Sequence, residues 1–421
     1  MNNKFEHICV IGLGYIGLPT AATFAAHGIK VTGVDVNQHA VDMINQGKVH
    51  IVEPDLDALV KDVVEKGMLS AQTTPVEADA YIVAVPTPFK DDHEPDLKYI
   101  EAAAKALAPY LAKGNLVILE STSPVGATEQ MSAWLSEARP DLSFPQQEGE
   151  ASDIRVAHCP ERVLPGKVLL ELISNDRIIG GMTESCSAAS SQLYKTFVQG
   201  GCIETNARTA EMCKLTENSF RDVNIAFANE LSVICDKLDI NVWELVTLAN
   251  RHPRVNILQP GPGVGGHCIA VDPWFIVAKT PEQARLIRTA REVNDAKPEW
   301  VIDQVKIKIA EFLQANPAKT IQDVTVACYG LAFKPDIDDL RESPALEITK
   351  KLAEQGLNIL AIEPNICELP KSLPTNVKLI NIKENGLADI HLILVAHKEF
   401  YCIGEDLQKT EYLLSSVNLK K

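Results

Sequence analysis

The stretch that decides the fold is HICVIGLGYIG, residues 7–17. Its apolar first half predicts a buried strand, and Gly12, Gly14 and Gly17 follow directly before a helical stretch. A second apolar strand, residues 30–34, ends at Asp35, which lies 18 residues after the last glycine. Strand, G-x-G-x-x-G turn, helix, strand and acid in this order predict a dinucleotide-binding α/β unit.

Each residue of this pattern has a physical task. Gly12 allows the tight turn, Gly14 lets a pyrophosphate approach the backbone, and Gly17 lets the helix and the strand pack closely. The N-terminus of the helix faces the phosphates. Asp35 would accept a hydrogen bond from the adenosine ribose 2′-hydroxyl and disfavour a 2′-phosphate, which predicts NAD rather than NADP as the cofactor. The alternative is a glycine-rich turn without a ligand.

Hydroxyl side chains follow two further strands of the same predicted sheet. The strands are expected at residues 80–85 and 116–120, and Thr87, Thr122 and Thr128 lie on the loops after them. Ligands of an open parallel sheet bind beyond the carboxyl ends of the strands, so these threonines are candidate cofactor contacts. They are equally well explained as turn or helix-capping hydroxyls.

The next strand, residues 154–157, leads into the loop CPERVLPG, residues 159–166. In this loop Glu161 and Arg162 form either a solvent-exposed salt bridge or part of a substrate loop, because the loop leaves the same edge of the sheet. The polar segment ahead of the strand, residues 141–152, is expected to be a surface insertion.

Bulk composition excludes several classes of protein. The 421 residues predict two or three domains, and the formal net charge of -16 argues against a nucleic-acid or anionic-membrane partner. The ten cysteines include no Cys-x-x-Cys pair, so we expect no metal site. The chain shows no signal peptide and no apolar run long enough to span a membrane, which predicts a cytoplasmic protein with reduced thiols.

The second informative stretch is GPGVGGHCIAVDP, residues 261–273. Four glycines and two prolines in this stretch are incompatible with a regular helix or a central strand, so it forms a bent loop. Cys268 stands in this loop, four residues before Asp272. A cysteine thiolate attacks aldehydes and later leaves as a good acyl leaving group. The alternative is a buried, inert thiol.

A long helix, expected over residues 207–236, comes before this loop. Glu211, Lys214, Asn218 and Arg221 recur along it at spacings of 3, 4 and 3, which places them on one face. Such a stripe is by default solvated. Lys214 and Asn218, one turn apart, are also able to point at one reacting centre, where they would hold an oxyanion.

The C-terminal part returns to an α/β pattern without the glycine fingerprint. A strand at residues 324–329 leads into a loop with Lys334 and Arg341, which are suited to phosphate. Ser343 and Pro344 predict the start of a helix that runs to residue 355. The preceding helical stretch, residues 281–313, is expected to break near Pro298.

Together these patterns predict the fold class: α/β, with two doubly wound Rossmann-like domains joined by a long central helix. The expected segments are an NAD-binding domain at residues 1–203, a central helical and dimerisation region with the cysteine loop at residues 204–315, and a second Rossmann-like domain at residues 316–421.

A cofactor site combined with a loop thiol predicts two successive oxidations. Cys268 would attack an aldehyde to give a thiohemiacetal, whose oxidation gives a thioester that water hydrolyses to a carboxylate. Lys214 and Asn218 would stabilise the oxyanion, and Lys214 would also move protons. Asp272 and Glu161 are both candidate bases, and the sequence does not choose between them.

Three motifs together resemble the UDP-glucose/GDP-mannose dehydrogenase family. They are the loop GPGVGGHCxxxD, the helix motif from Glu211 to Asn218, and the segment that joins Phe333-Lys334 to Arg341-Glu342-Ser343. The resemblance covers nearly the whole chain, in the family's order, and it implies that residues 316–421 form a UDP-sugar-binding domain. Val271 stands where the glucose branch of the family usually has lysine, which puts a glucose-type substrate in doubt.

The resemblance implies specific roles. Cys268 is the nucleophile and Lys214 the proton donor or acceptor. NAD meets Tyr15, Ile16, Asp35, Thr87 and Thr128, while Arg341 reaches either cofactor or substrate. The nucleotide sugar meets Arg162, Val163, Lys214, Asn218, Arg221, His252, Arg254, Gly265, Phe333 and Lys334. A homodimer through the long helix is expected, with Arg254 crossing to the partner's site.

The resemblance also implies a reaction: NAD-dependent oxidation of the C6 alcohol of UDP-N-acetyl-D-mannosamine to the uronate used in bacterial surface polysaccharides such as enterobacterial common antigen. UDP-N-acetylglucosamine and UDP-glucose are the alternative substrates. A β-hydroxyacid-type dehydrogenase would leave Cys268 and the last domain unexplained. A catalytically silent nucleotide-sugar-binding regulator would have no need of Cys268 or Lys214.

Overall fold

The structure is a computed structural model that describes residues 5–90, 93–164, 166–266, 268–382, 388–401 and 412–419. By its internal contacts the chain divides into two compact units, Met1–Glu217 and Asn218–Lys421. The boundary falls inside the long helix α9, Ala207–Lys237. The three segments expected from the sequence stay a prediction.

The first unit is built on an eight-stranded sheet with the order β3-β2-β1-β4-β5-β6-β7-β8. The pairs are parallel except for β6 with β7. The strands are β1 His7–Ile11, β2 Lys30–Val34, β3 Leu69–Gln72, β4 Ala80–Val83, β5 Leu116–Leu119, β6 Arg155–His158, β7 Arg177–Gly181 and β8 Cys202–Asn206.

Helices cover both faces of this sheet. They are α1 Gly17–Ala26, α2 Gln38–Asn45, α3 Leu56–Glu65, α4 Lys98–Leu107, α5 Ala127–Ala138, α6 Pro145–Glu148, α7 Val168–Ser174 and α8 Glu184–Tyr194. Alternation along β1 explains the two layers: Ile8 and Val10 enter one buried cluster, whereas Cys9 and Ile11 enter the other. A strand buried on both faces in this way is typical of a parallel sheet covered by helices.

The second unit contains a five-stranded, fully parallel sheet with the order β11-β10-β9-β12-β13. Its strands are β9 Thr325–Tyr329, β10 Asn358–Ile362, β11 Val377–Leu379, β12 Ile390–Ile393 and β13 Leu413–Ser415. Its helices, after α9, are α10 Val242–Ala249, α11 Asp272–Lys279, α12 Arg285–Ala315 and α13 Pro344–Glu354. Val326 and Cys328 of β9 pack into one cluster and Ala327 and Tyr329 into another.

The predicted fold class is confirmed, because both sheets have the doubly wound order and a 31-residue helix lies in the middle of the chain. The cap at Ser343 is confirmed as well: its side chain accepts a hydrogen bond from the Leu346 N–H. Among the described helices, none is both long and apolar enough to cross a membrane.

The expected break near Pro298 is wrong, because α12 continues through that residue. Proline removes one backbone hydrogen bond from a helix, so other contacts must hold the helix together. Upstream, the side chains of Arg291 and Asn294 both donate to the Asp222 carboxylate of α9, at 2.6 and 2.8 Å. Downstream, Val301 and Ile302 are buried. Tertiary packing on both sides therefore overrides the local signal.

The segment at residues 141–152 is more than a polar surface insertion. Phe144 is fully buried and stands directly before the short helix α6. The Ser143 N–H donates to the Asp153 carboxylate at 3.0 Å, and the Asp153 N–H donates to the Ser143 hydroxyl at 2.9 Å. One aromatic anchor and a reciprocal hydrogen-bond pair therefore fix a segment whose composition is mostly polar.

Candidate active site

The glycine loop after β1 has the geometry of a dinucleotide site. Gly12 has φ of +92°, and a Cβ there would lie 2.5 Å from the Ala84 carbonyl oxygen, so no other residue fits. A Cβ on Gly17 would lie 1.8 Å from the Gly12 carbonyl oxygen, which accounts for the close helix–strand packing. A Cβ on Gly14 would meet nothing within 4 Å. The space over Gly14 is where a pyrophosphate can approach.

Asp35 is fixed beside this loop. One carboxylate oxygen accepts from the Leu13 N–H and the other from the Asn37 N–H, both at 2.9 Å. The side chain stays half-buried, so it can still reach a ribose hydroxyl. Tyr15 is 45% exposed next to the glycines, and Ile16 is half-buried. Among the described side chains none caps the N-terminus of α1, which leaves that end for an anion.

The three loop threonines have different environments. Thr87 is buried, and its hydroxyl has no hydrogen-bond partner among the described residues. A buried hydroxyl in that condition fits a site that a ligand completes. Thr122 is half-buried. The residues present therefore fit NAD, and Gly12, Gly14, Tyr15, Asp35 and Thr87 are the ones that would hold it.

Thr128 is fully buried and is tied to helix α9. Its backbone N–H and its hydroxyl donate to one oxygen of the Glu211 carboxylate at 2.8 and 2.6 Å. The other oxygen accepts from the Gly126 N–H at 2.7 Å. Glu211 thus caps the N-terminus of α5, where a negative charge is favourable. A direct contact of Thr128 with a cofactor stays a prediction.

A buried ion cluster lies beneath the loop that follows β6. The Arg177 guanidinium donates to the Glu120 carboxylate and to the Glu161 carboxylate, each at 2.6 Å. It also lies 4.1 Å from the centre of the Tyr194 ring, and the Tyr194 hydroxyl donates to Glu120 at 3.1 Å. Burial of this cluster raises the pKa of Glu120 to about 7, and the nearby Glu161 carboxylate, which shares the guanidinium, adds to the increase.

The cluster fixes the candidate base Glu161. Its second oxygen accepts from the Arg162 N–H at 2.6 Å, so hydrogen bonds hold both oxygens. Arg162 itself is paired with Glu217 at 2.7 Å. It is therefore not in a simple salt bridge with Glu161, as one reading of the sequence supposed. Val163 is half-buried against the core.

The raised pKa of Glu120 gives a testable pH dependence of stability. The folded protein favours the protonated acid, so this contribution is complete below the ordinary pKa of 4.5 and is lost as the pH rises through about 7. We expect the free energy of unfolding of the native protein, relative to that of Glu120→Gln, to fall by about 1 kcal/mol between roughly pH 6 and 8.

Urea unfolding at the two pH values measures this difference. The exposed Glu137→Gln variant is the control, and its stability should track that of the native protein. A Glu120→Gln curve parallel to the native one at both pH values would show that Glu120 is already ionised in the fold.

In the second unit, glycines let the cysteine loop pack tightly. A Cβ on Gly265 would lie 2.5 Å from the Glu342 carbonyl oxygen and 2.8 Å from the Phe333 Cβ. Gly266 has φ of +82°, and a Cβ there would lie 2.9 Å from the Phe333 ring. The Gly261 N–H donates to the side chain of Asn229 at 2.9 Å. The loop is therefore held at its start and along its glycines.

Cys268 is exposed at the end of these glycines. Its carbonyl oxygen accepts from the Asp272 N–H at 2.9 Å, in the turn that begins α11. Asp272 is buried, and its carboxylate accepts from the Asn218 side-chain amide at 2.5 Å. The structure therefore brings together Asn218, Asp272 and the turn that carries Cys268, which were three separate sequence candidates.

Exposure distinguishes Cys268 from most other thiols of the chain. Burial raises the pKa of Cys9 to about 11 and that of Cys328 to about 12, which makes these thiols poor nucleophiles. Of the nine cysteines that the structure describes, Cys268 and Cys367 are exposed. Cys402 of the sequence lies outside the described residues.

The remaining candidates lie on exposed or half-buried positions. On α9, Lys214 and Asn218 are half-buried and Arg221 is exposed, so the stripe that starts at buried Glu211 turns towards solvent. The other exposed candidates are His252, Arg254, Lys334 and Arg341. The guanidinium of Arg341 is paired with Asp339 at 2.6 Å.

Sequence reasoning missed Glu120, Arg177 and Tyr194. A signal was available: Glu120 ends one apolar strand and Arg177 begins another, and a charge next to a buried run needs a partner. It also missed Glu363 and His397 of the second unit, which are both buried. Glu363 directly follows β10 as Asp35 follows β2, which is a local signal, whereas no local pattern identifies His397.

Comparison with known families gives three consecutive matches. They are to the UDP-glucose/GDP-mannose dehydrogenase family: its NAD binding domain at residues 6–198, its central domain at residues 208–296 and its UDP binding domain at residues 327–417.

Individual relatives match over nearly the full length. The chain is 64% identical over 415 residues to the UDP-N-acetyl-D-mannosamine dehydrogenase of Escherichia coli K12, covering 98% of this chain and 99% of that protein. It is 62% identical over 414 residues to the NDP-N-acetyl-D-galactosaminuronic acid dehydrogenase of Ralstonia nicotianae, covering 98% and 96%. It resembles the solved UDP-D-ManNAc dehydrogenase of Pyrococcus horikoshii with a TM-score of 0.85 and 37% identity, covering 99% and 96%.

Proposed function

The chain belongs to the UDP-glucose/GDP-mannose dehydrogenase family, and we propose that it oxidises the C6 alcohol of UDP-N-acetyl-D-mannosamine to the carboxylate. The protein is an NAD-dependent nucleotide-sugar dehydrogenase. The observation that carries the four-electron reaction is Cys268, an exposed thiol on a loop whose turn is tied to Asp272 and Asn218. The product would be a uronate for a bacterial surface polysaccharide such as enterobacterial common antigen.

Bound NAD supplies the acceptor for the hydride of each oxidation. In the first oxidation a base removes the proton of the C6 hydroxyl, and Lys214 and Asn218 stabilise the oxygen as its charge develops. Glu161, through water, is one candidate base, and Asp272 is the other. The products of this step are the aldehyde, one reduced cofactor and one proton.

In the second oxidation the Cys268 thiolate adds to the aldehyde carbon and forms a thiohemiacetal. Loss of its hydride gives a thioester and a second reduced cofactor. Water then attacks the thioester, the carbon–sulfur bond breaks, and the thiolate leaves with release of the carboxylate. One sugar alcohol, one water and two NAD give one uronate, two NADH and three protons.

Substrate contacts are proposed in several segments of the chain. In the second unit Phe333 and Lys334 follow β9, and Phe333 packs against Gly265 and Gly266. A planar ring beside glycine backbone suits a nucleoside, and an exposed lysine suits its diphosphate. The other proposed contacts are Arg162, Val163, Arg221, His252, Arg254 and Arg341.

Asp35 is expected to set the choice of cofactor. Its carboxylate accepts a ribose hydroxyl and repels a 2′-phosphate, so Asp35→Asn should lower the preference for NAD over NADP by about tenfold or more. The measurement is kcat/KM for each cofactor at saturating sugar. Asp42→Asn, an exposed change on α2, should keep the native preference. An unchanged ratio of kcat/KM for NAD to kcat/KM for NADP in Asp35→Asn would show that Asp35 does not contact the cofactor.

A panel of nucleotide sugars tests the substrate. One relative at 62% identity is named for an N-acetylgalactosaminuronic acid, so the sugar is decided within the branch rather than by the fold. We expect kcat/KM for UDP-N-acetyl-D-mannosamine to exceed that for UDP-N-acetylglucosamine, UDP-N-acetylgalactosamine and UDP-glucose by about tenfold or more. A higher value with any of these three would overturn the assigned sugar and keep the mechanism.

The same proposal includes a homodimer formed through α9. Phe220, Phe227 and Ile234 recur every seven residues on this helix and are 69%, 52% and 46% exposed. An apolar stripe with this period suits a second helix of the same kind. A solution mass of twice the 46.0 kDa chain supports the dimer, and a mass equal to one chain contradicts it.

We place the enzyme in the cytoplasm. The proposed mechanism needs Cys268 as a thiol, and this side chain is exposed. A reducing compartment keeps an exposed thiol in that state.

A further inference from the structure

The two sheets share one detail at the point where their strand order reverses. In the first unit the Gly12 N–H donates to the Val34 carbonyl at 2.8 Å, and the Leu13 N–H donates to Asp35 at 2.9 Å. In the second unit the Gly330 N–H donates to the Ile362 carbonyl at 2.8 Å, and the Leu331 N–H donates to Glu363 at 2.7 Å. The two glycines have φ of +92° and +91°. Glu363 therefore holds the position that Asp35 holds in the first unit.

The two carboxylates differ in how much of their hydrogen-bonding capacity is left for a ligand. Glu363 is 4% exposed, and its Oε2 accepts from the N–H groups of Leu331 and Ala332 and from Nε2 of His397, at 2.7, 3.1 and 3.0 Å. Its Oε1 accepts from the backbone and side-chain nitrogens of Asn365 at 3.1 and 3.2 Å. Five donors fill the carboxylate, so it is closed to a ribose diol.

His397 provides Glu363 with a hydrogen-bond donor that Asp35 lacks, and it also holds a second part of the chain. The ring is fully buried, and its Nδ1 accepts from the Asp336 N–H at 2.9 Å and from the Asn365 amide at 3.1 Å. Since the Asp336 N–H can only donate, Nε2 carries the proton of the neutral ring and donates to Glu363. One imidazole therefore bridges Glu363 and Asp336.

These two contacts lie at opposite ends of one loop. Glu363 holds Leu331 and Ala332 at its start, and His397 holds Asp336 at its end. Asp336 has φ of +62°, a backbone conformation that an aspartate keeps only when its surroundings hold it. Phe333 and Lys334, the proposed nucleotide contacts, lie between the two anchors.

We propose that His397 is the positioning residue of the nucleotide-sugar site. By saturating Glu363 and holding Asp336, it excludes a dinucleotide ribose from the second unit and sets the loop so that Phe333 and Lys334 receive a nucleoside diphosphate. This inference rests on the proposed function, since it assigns the nucleotide to that loop.

A divalent cation is the competing use of this cluster. Asp336, His397 and Glu399 offer ligand atoms that lie within 4.8 Å of one another. Coordination through Nδ1 would require the ring to give up its hydrogen bonds with Asp336 and Asn365. The geometry therefore favours the positioning role.

Calorimetric titration of the full-length protein with UDP tests the proposal. His397→Leu removes the hydrogen bonds with Glu363, Asp336 and Asn365 at similar volume, and we expect it to raise the Kd for UDP and the KM for the sugar about tenfold. The KM for NAD and the kcat at saturating sugar should stay near native values. His397→Gln keeps a donor and an acceptor without the rigid ring, so its Kd for UDP should lie a few-fold above the native value and below that of His397→Leu. His391→Leu is the matched control, because His391 is a buried histidine of the same unit, on β12, that bonds to Tyr329.

The possible outcomes are distinct. If His397→Leu does not fold, His397→Gln with a native Kd for UDP overturns the proposal, and a several-fold weaker Kd supports it. A lowered melting temperature with native UDP affinity in His397→Leu makes the residue merely structural and overturns it. Dependence of UDP affinity on EDTA or added Zn²⁺ also overturns it, in favour of a metal ligand. If the native protein itself does not bind UDP, the proposed function fails first.

Discussion

Cys268→Ser is expected to abolish uronate formation, with a loss of about a thousandfold or more in the rate of acid production. A serine hydroxyl is far less nucleophilic than a thiolate at neutral pH, and its ester is a poorer acyl donor than a thioester. The first oxidation does not use the thiol, so the variant should still release some aldehyde and one NADH per sugar. Mass spectrometry of the products and absorbance of NADH measure the two quantities together.

Cys367→Ser is the matched control for this change. Cys367 is the other exposed cysteine among the described residues, and it lies in the segment after β10, away from the glycine loop in sequence. Its variant should form uronate at the native rate. Native uronate production by Cys268→Ser would eliminate the thioester route.

Lys214→Ala is expected to lower kcat by about a hundredfold or more while the KM for NAD stays near its native value. Removal of one donor from an oxyanion site costs about this much in other enzymes. Lys214 is half-buried, and it lies one turn before Asn218 on α9. A cation held at that position would stabilise the oxygen that gains charge in both proposed oxidations, whereas the residues proposed to hold NAD are different ones.

Lys237→Ala gives the control on the same helix, because Lys237 is an exposed lysine in its last turn. It should leave both kinetic constants unchanged. A native kcat in Lys214→Ala would show that Lys214 is an ordinary solvated residue, which is the default expectation for such a helix face.

The cofactor loop was predictable because its contacts are local or lie between neighbouring strands. Gly12, Gly17 and Asp35 all lie within the first 35 residues. The glycines allow the tight turn and the close packing that their residue type suggests, and Asp35 is held beside the loop by the Leu13 N–H. The cysteine loop was predictable for a similar reason, since only glycine tolerates the close approach at Gly265 and the positive φ at Gly266. At positions where the backbone has a positive φ or is tightly packed, the residue type alone predicts the local structure.

Long-range pairs were not predictable from one sequence. Arg177 meets Glu120 across 57 residues of chain, and His397 meets Glu363 across 34. Asn218 and Asp272 were both candidates, but their hydrogen bond across 54 residues is known only from the fold. Such contacts depend on strand order, and no spacing in the sequence encodes it.

Pro298 illustrates the opposite error, in which a strong local signal misleads. Proline lowers helix stability in isolation, yet packing of α12 and its hydrogen bonds to Asp222 outweigh that cost. Local propensity is a prior, and buried tertiary contacts of this kind decide the outcome.

The central claim is that one protein carries out both oxidations through a cysteine thioester. The most direct test is the yield of NADH per molecule of UDP-N-acetyl-D-mannosamine consumed by the native protein. We expect a ratio of two, with a uronate as the product. A ratio of one, with free aldehyde, would contradict it, because the thiol of Cys268 would then have no part in the reaction.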